Sequence, residues 1–491
     1  MVANGDYPCF WLYEYNILEY KNLKPLAVKL AASSRVAWSR GSVQIPSDAL
    51  GRRGQLRQAP EDFLSGELVA AISEHGVDNE RRGLLRSAFV GALAVAGAGA
   101  AAAPEGDPDI LDIPPWSRSL GKPVVANPYG RPSVFEANIV RRQSPGLTQT
   151  DQASVAFTPL QNLFGSITPS GLHFERHHQG WVDIDPRRHR LMINGLVREP
   201  LVFTMEDLMR MPSVSRMHFL ECGANTAQEW GNAAVPTVQY SHGMLSGSEW
   251  TGVPLSLLLE RAGYDRNAGY LLAEGADGSG MTRTINMENA LDDAIVAYGQ
   301  NGEMLRPEQG YPLRLVVPGV QGVSWVKWLR RLEVGDQPYA TKDEASHYVD
   351  LMPDGRMRQY TAIQEAKSVI TSPSGGQRLL KKGYYCITGL AWSGRGEVRK
   401  VEVSVDGGRN WRPARIEGSP QSKMLTRFNF DWTWQGETVL LQSRVHDATG
   451  YIQPARSQLV AARGTRSIYH NNAIQTWRVK DSGEVDNVQV G

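Results

Sequence analysis

His218-Phe-Leu-Glu-Cys-Gly-Ala-Asn225 decides how the rest of this chain is read. Val214 to Leu220 is apolar enough to form a buried strand, and Gly223-Ala-Asn225 then breaks it. Cys222 sits at the junction, one of only three cysteines in 491 residues. A lone thiol in such a setting has two readings. It is a buried structural cysteine, the commoner fate of a free Cys, or a thiolate offered to a soft metal or an electrophile. Spacing alone does not choose between them.

Composition narrows the field. The length predicts two or three domains with ample core. Net charge is +1, with acids and bases well mixed, which argues against a nucleic-acid or polyanion partner. Three cysteines supply no disulfide framework, zinc spacing or iron–sulfur set, and no Cys-x-x-Cys-His occurs, so no c-type haem is attached to this chain. Cys222 and Cys386 are free to pair in an oxidising compartment, whereas a metal-binding role requires Cys222 unpaired.

Working outward, Phe203-Thr-Met-Glu-Asp-Leu208 places a Thr before acids, so a short helix starts at Thr204. Leu255 to Glu260 reads as helix, and Arg314 to Val317 and Val326 to Val334 read as strands. The mixture is α+β without a βαβ rhythm. Gly275-Ala-Asp-Gly-Ser-Gly280 has the wrong spacing for a nucleotide fingerprint. No Gly-x-Ser-x-Gly elbow occurs, and His177-His178 has no third zinc ligand nearby in sequence. Thr371-Ser-Pro-Ser-Gly-Gly376 marks a boundary. Beyond it Val401, Val403 and Val405 alternate with Lys400, Glu402, Ser404 and Asp406, and Asp406-Gly-Gly408 is a turn signal. With Tyr384 to Ala391 and Thr438 to His446, this predicts an all-β Ig-like sandwich over 371–491.

At the other end, Glu80-Arg-Arg-Gly-Leu-Leu-Arg86 precedes a weakly apolar run ending Ala-Ala-Ala-Pro104. Residues 80–103 resemble a Tat-type signal peptide, which implies periplasmic localisation. The run is too short and too rich in Ala and Gly for a membrane span. Residues 1–79 then read as a doubtful N-terminal extension. After Met1 the next methionine is Met192, so a later start needs a non-ATG codon, with Val69 and Val77 as candidates. Residues 104–154 are rich in Pro, Gly and Asn and read as an extended arm.

Six stretches in order resemble the sulfite oxidase family of molybdenum enzymes. His218 to Asn225 is similar to its metal-ligating loop, and Phe174-Glu-Arg-His-His178 to its pterin segment. Ala297-Tyr-Gly-Gln-Asn-Gly302, Tyr311-Pro-Leu-Arg-Leu-Val-Val-Pro-Gly319 and Val326-Lys-Trp-Leu329 follow. Val403-Ser-Val-Asp-Gly-Gly-Arg-Asn-Trp411 is similar to its C-terminal domain. The resemblance implies a molybdopterin-binding oxidoreductase domain over 155–370, with the Ig-like domain as dimerisation domain and a homodimer as the assembly. It makes Cys222 the molybdenum ligand. Phe174, Arg176, His177, His178, Asp277, Arg314, Trp325, Val326 and Lys327 become residues holding the molybdopterin cofactor. Arg176 faces the oxyanion substrate, and Arg463, in Ala462-Arg-Gly464, is a second pocket arginine. Arg314 lies among Leu313, Leu315 and Val316, where an unpaired charge is costly, so a buried anionic partner is expected.

The departures matter. Sulfite-oxidising members carry an arginine where this chain has Ala227, and Tyr240 stands for a pocket tryptophan. Gln309 replaces a histidine, and Ser346-His-Tyr-Val-Asp-Leu-Met-Pro353 offers no tyrosine at the family's catalytic place. Fewer cations suit a substrate less anionic at its reacting end. These features, with His173-Phe174, Val214 to Phe219 and Lys367-Ser-Val-Ile-Thr371, resemble the molybdenum subunits of Sox-type sulfane dehydrogenases. That implies oxidation of sulfane sulfur bound to a carrier protein during thiosulfate oxidation, with a c-type cytochrome subunit as electron acceptor. The alternatives are a free-sulfite dehydrogenase and, from another class, a secreted Ig-like binding protein without catalysis.

Overall fold

A computed structural model describes residues 120, 122–123, 126–143, 150–359, 363–466 and 469–490. The N-terminal extension, the export-signal segment and Cys9 lie outside the described residues. The described secondary structure lies in the compact unit 124–491.

The strand expected around the cysteine runs Val214–Glu221, exposed at its start and buried over its last residues. It pairs antiparallel with Leu245–Pro254, His218 opposite Ser248. That strand in turn pairs with Ile295–Gln300, which also meets Glu303–Met304 and Arg314–Val316. A second sheet is ordered Leu201–Thr204, Arg190–Gly195, Leu329–Gly335, Tyr270–Gly275 and Thr282–Asn286. In it, Leu329–Gly335 and Arg190–Gly195 run parallel, and the other neighbours are antiparallel. One apolar core joins these elements, centred on Leu191, Ile193, Trp250, Leu258, Leu315 and Trp325.

The short helices follow their caps. Thr204 and Asp207 form a reciprocal capping box on Met205–Met209. The helical patch at Leu255 extends to Ala262 and ends in a left-handed Gly263. The strand expected from Val326 begins later, at Leu329. Trp328 adopts a positive φ of 52°, which turns residues 326–328 out of the sheet and toward the cleft that holds the site.

The extended arm is not structureless at its end. Its Arg142–Gln143 pairs with Val155–Phe157, which pairs with Glu175–Arg176. This small sheet fixes the backbone that carries Arg176, Val155 lying opposite it.

The C-terminal domain is the expected sandwich. One sheet runs Lys367–Ser372, Gly383–Trp392, Thr426–Trp434 and Arg415–Ile416; the other runs Arg412–Pro413, Val398–Ser404, Val439–Asp447, Thr476–Val479 and Val485–Val488. Two expectations need correction. The boundary drawn at 370/371 falls inside the strand Lys367–Ser372, whose ladder with Gly383–Trp392 makes it part of the sandwich. The alternation around Val401 is also incomplete: Glu402 and Ser404, expected on the wet face, are buried. Glu402 is covered by Lys400, Arg444 and His446, while the Ser404 hydroxyl bonds to Asp406 and Gly408 of the following turn. Gly407 and Gly408 take positive φ there, as the turn signal requires.

The sandwich core also contains Leu160, Phe219, Val238 and Leu245 from the preceding domain. The two domains are therefore packed through a shared apolar interior. Below it, Lys367 Nζ bonds Glu221 Oε1 at 2.9 Å and Thr226 Oγ1 at 3.0 Å, and Trp392 donates to Glu221 Oε2 at 2.8 Å. This buried polar cluster ties the sandwich to the two sides of the cysteine turn. No helix among the described residues is long and apolar enough to cross a membrane.

Candidate active site

The largest change of direction in the chain around Cys222 is enforced by sterics. A side chain at Gly223 would sit 2.1 Å from Gln321 Oε1, so glycine lets the two loops approach without displacing that glutamine. Cys222 anchors its backbone to Met244 O and accepts from Asn225 N. Cys222 and Cys386 are both free, so no disulfide competes for the thiol. Burial pushes the Cys222 thiol pKa up; the Ala224 N–H and Arg176 act the other way and Glu221 adds to the rise. A thiol held protonated is a poor nucleophile, whereas a metal deprotonates its own thiol ligand. The chemistry of the pocket therefore favours a ligand.

Cys222 lines a cleft, open to solvent, whose wall includes every residue expected to hold the cofactor: Phe174, Arg176, His177, His178, Asp277, Arg314, Trp325, Val326 and Lys327. Residues from four separated stretches converge there because the arm sheet presents 174–178, the Tyr270–Gly275 strand ends at the Asp277 turn, and the Trp328 turn delivers 325–328.

The electrostatics are those of an anion site. Arg314 is 2% exposed, and its guanidinium carbon lies 4.8 Å from the Trp250 ring centroid. It donates to Gln309 O at 3.1 Å and Trp325 O at 3.2 Å. Its Nε makes no hydrogen bond within the protein, and burial lowers its pKa to about 9. No carboxylate among the described residues forms an ion pair with it. Asp277 accepts from Ser279 through Oδ2, and its buried Oδ1 has no partner. A phosphate-bearing pterin with ring N–H donors fits both orphaned groups. Lys327 is more occupied than its expected role as a free point charge: Nζ bonds Arg176 O at 3.1 Å, His177 Nδ1 at 2.8 Å and Glu308 O at 3.1 Å. Burial drives its pKa well down, with Arg314 adding to the effect.

The histidines are neutral. Burial lowers His178 to about 3, with Arg176, Lys327 and His347 contributing. His173, stacked on Phe174 at 5.1 Å, falls to about 3 for the same first reason. His177 is lowered by burial, though Glu175, 2.8 Å away at Oε2, opposes the shift. Neutral imidazoles can donate and accept hydrogen bonds without adding charge. Gln309, in place of a family histidine, donates to Phe174 O at 2.9 Å and so braces the pterin segment.

Three expectations are corrected. Arg463 does not line the cleft; it ends the helix Arg456–Arg463 and faces Asp350 at 3.9 Å and Glu365 at 3.8 Å. Tyr240 lies outside the lining as well, packed edge-on against Phe157 at 5.7 Å. Conversely, Tyr348 was overlooked. It lines the cleft with Cys222 and stacks on Tyr469 at 4.6 Å. The signal lies in Ser346-His-Tyr348 itself, whereas the family resemblance points to a tyrosine a few residues beyond. Trp328 and Met281 also line the wall. Among the described residues no group of three or more His, Cys, Asp and Glu is placed to hold a metal ion.

Comparison with known proteins bears directly on this geometry. Residues 178–342 match the family described as oxidoreductase molybdopterin binding domain, and residues 358–477 match the Mo-co oxidoreductase dimerisation domain. The crystal structure of sulfane dehydrogenase SoxCD from Paracoccus pantotrophus includes a chain 50% identical to this one, with a TM-score of 0.77, covering 79% of this chain and 100% of that one. The chain belongs to the sulfite oxidase family of molybdenum enzymes. It is an oxidoreductase of the molybdopterin type, with the molybdenum cofactor as its prosthetic group. Within that family it is 31% identical to mitochondrial sulfite oxidase of Mus musculus over 55% of this chain and 52% of that protein. It is 35% identical to nitrate reductase [NADH] 1 of Arabidopsis thaliana over 57% of this chain and 34% of that one. The chain thus matches about a third to a half of the length of these curated relatives.

Proposed function

We propose that this chain is the molybdenum subunit of a sulfane dehydrogenase, oxidising sulfane sulfur carried on a protein thiol and passing electrons to a c-type cytochrome. The observation that carries the reading is the 50% identity across the full length of a sulfane dehydrogenase chain. It is supported by a cleft in which Arg176 is the cation near the thiol, with Ala227 where sulfite-oxidising relatives have an arginine. When bound, the molybdenum cofactor supplies a two-electron sink and oxygen transfer. Cys222 would ligate the metal, with Arg314 and Asp277 gripping the pterin and its phosphate. Arg176 can hold oxyanion charge as it grows on the reacting sulfur. Neutral His178 can donate to, or relay a proton from, an oxygen on that sulfur. The aromatic wall at Tyr348 excludes water from one side.

The electrons need a partner. The sequence contains no Cys-x-x-Cys-His or iron–sulfur cysteine set. The reading therefore includes an export-dependent periplasmic location, a cytochrome docked near the cofactor, and dimerisation through the sandwich. The purified molybdenum-loaded chain should oxidise a carrier-bound persulfide with an artificial acceptor, and should reduce oxygen or quinone only slowly unless a c-type cytochrome is added. A higher kcat/KM for free sulfite than for the carrier persulfide would replace this reading with a sulfite dehydrogenase. Absence of stoichiometric molybdenum from protein purified under cofactor-replete conditions would point to a binding protein.

A further inference from the structure

Behind the cleft wall lies an arginine that does not reach it, Arg283, and one short segment accounts for it. Residues 341–351 begin with Thr341, which caps the helix Lys342–Ser346 in a reciprocal box with Glu344. They continue through Tyr348 into the strand Val349–Leu351. Glu344 is buried. Its carboxylate accepts from Thr284 N at 2.8 Å and Thr284 Oγ1 at 2.9 Å, and it faces Arg283 Nη2 at 3.7 Å. Arg283 is fully buried, and its guanidinium carbon lies 4.6 Å from the Tyr348 ring centroid. Two residues further on, buried Asp350 faces Arg463, which Glu365 approaches from its other side. Tyr348, between the two carboxylates in sequence, is the residue that lines the cleft.

This arrangement has a consequence for substrate charge. Arg176, Arg314 and Lys327 are the arginines and lysine of the wall; Arg314 and Lys327 are committed to the pterin side and to backbone acceptors. Arg283 would be another cation one side chain behind the wall, but its charge is answered by Glu344. A small dianion needs several converging positive charges, and a cation already paired with a buried carboxylate offers little net field. The Tyr348 ring, backed by Tyr469, presents instead a polarisable apolar surface suited to an alkyl persulfide on a carrier arm.

We propose that segment 341–351 is the specificity element of the cleft: by cancelling Arg283 with Glu344 behind Tyr348, it admits a weakly charged, carrier-borne sulfur and turns away free oxyanion dianions. The inference rests on the sulfane dehydrogenase reading and deepens it. Glu344 is a positioning residue that acts through Arg283.

Sulfate, an unreactive dianion, is the probe, used as an inhibitor of the molybdenum-loaded chain turning over carrier persulfide, or free sulfite, with an artificial acceptor. Sulfate should inhibit the parent no more than chloride does at equal ionic strength. Glu344→Gln should uncover Arg283 and tighten sulfate inhibition about tenfold. The KM for free sulfite should fall with it, while kcat stays within about twofold, a split that mere loss of folded protein does not produce. Arg283→Gln should leave sulfate inhibition no tighter than in the parent, because it removes a cation and leaves the Glu344 carboxylate behind the wall. Selective inhibition of the parent by sulfate overturns the proposal. So does a folded Glu344→Gln with unchanged sulfate affinity, or a double variant Glu344→Gln, Arg283→Gln that is inhibited as tightly as Glu344→Gln alone. The parent measurement stands even where a variant fails to fold. The substrate reading fails separately: a chain that ignores carrier persulfide yet shows the Glu344→Gln gain keeps the charge arrangement and loses the substrate.

Discussion

Arg314 in the cleft and Glu402 in the sandwich are both buried charges, and the protein treats them in opposite ways. Glu402 is gripped by Lys400 Nζ at 2.6 Å, Arg444 Nε at 2.8 Å and His446 Nε2 at 2.9 Å. Burial pushes its pKa up, but these hydrogen bonds outweigh it and hold the carboxyl at about 2. Arg314 has no such company: it leans on carbonyls and tryptophan faces, and burial pulls it down to about 9. A charge closed by its own chain is a structural device. One left with an unused donor on a cleft wall is half of an interaction whose other half comes from outside. Position separates Arg176, which lines the cleft, from Arg283 and Arg463, which do not line it and stand 3.7 and 3.9 Å from carboxylates.

The contrast predicts different outcomes for substitutions in the two regions. Cys222→Ser should have the largest effect. A hydroxyl is nearly isosteric but a poor soft-metal ligand, so turnover should fall on the order of a thousandfold, beyond the 10–100-fold of an outer-shell change, with little shift in melting temperature. Turnover within twofold of the parent would return Cys222 to the structural class. Arg176→Gln should cost roughly 2–4 kcal/mol in kcat/KM. Arg176→Lys should recover part of that, since Lys lacks the fork. Equal activity in all three proteins would remove Arg176 from the chemistry.

Arg314→Met sharpens the comparison directly. Molybdenum content measured on the purified protein should drop about tenfold, while the stability of the cofactor-free chain changes by no more than about 1 kcal/mol, because an unpaired buried cation contributes little to the fold. A large loss of cofactor-free stability would place Arg314 with Glu402 instead. Glu402→Gln should do the reverse, leaving molybdenum content alone and lowering stability near neutral pH by about 1 kcal/mol after allowance for solvent screening. The folded carboxyl titrates below its ordinary 4.5, at about 2, so its contribution is complete above pH 4.5 and fades as pH falls through 2. Parent and variant unfolding curves should converge across that interval, and a gap that persists unchanged at pH 2 would refute the ion-pair account.

Much of this was legible in residues that act locally or through their neighbours in sequence. The Thr204 cap and the Asp406-Gly-Gly turn need only short-range sterics and hydrogen bonds. The residues that the ordered motifs imply for the cofactor all reach the cleft. What misled was long-range. Glu402 looks solvent-facing by period, but Arg444 and His446, on the neighbouring strand, cover it. Arg463 has the right neighbours in sequence and the wrong neighbours in space, because Asp350 and Glu365 capture it first.

The sequence by itself determined that a lone thiol sits at a strand end in an α+β domain, that an all-β sandwich follows, and, through its resemblance to the sulfite oxidase family, which side chains to expect around a phosphate-bearing pterin. The first two follow from periodicity and turn chemistry, properties of a few adjacent residues; the third follows from the order of the matching motifs. Only the tertiary structure decided which arginines face the cleft, that Tyr348 walls it, and that the sandwich shares its core with the domain before it. The physical reason is that a cation's net field depends on which carboxylate lies within a few ångströms of it. Residues such as Arg283 and Glu344 are brought to that distance by the packing of separate strands and helices, not by their order along the chain.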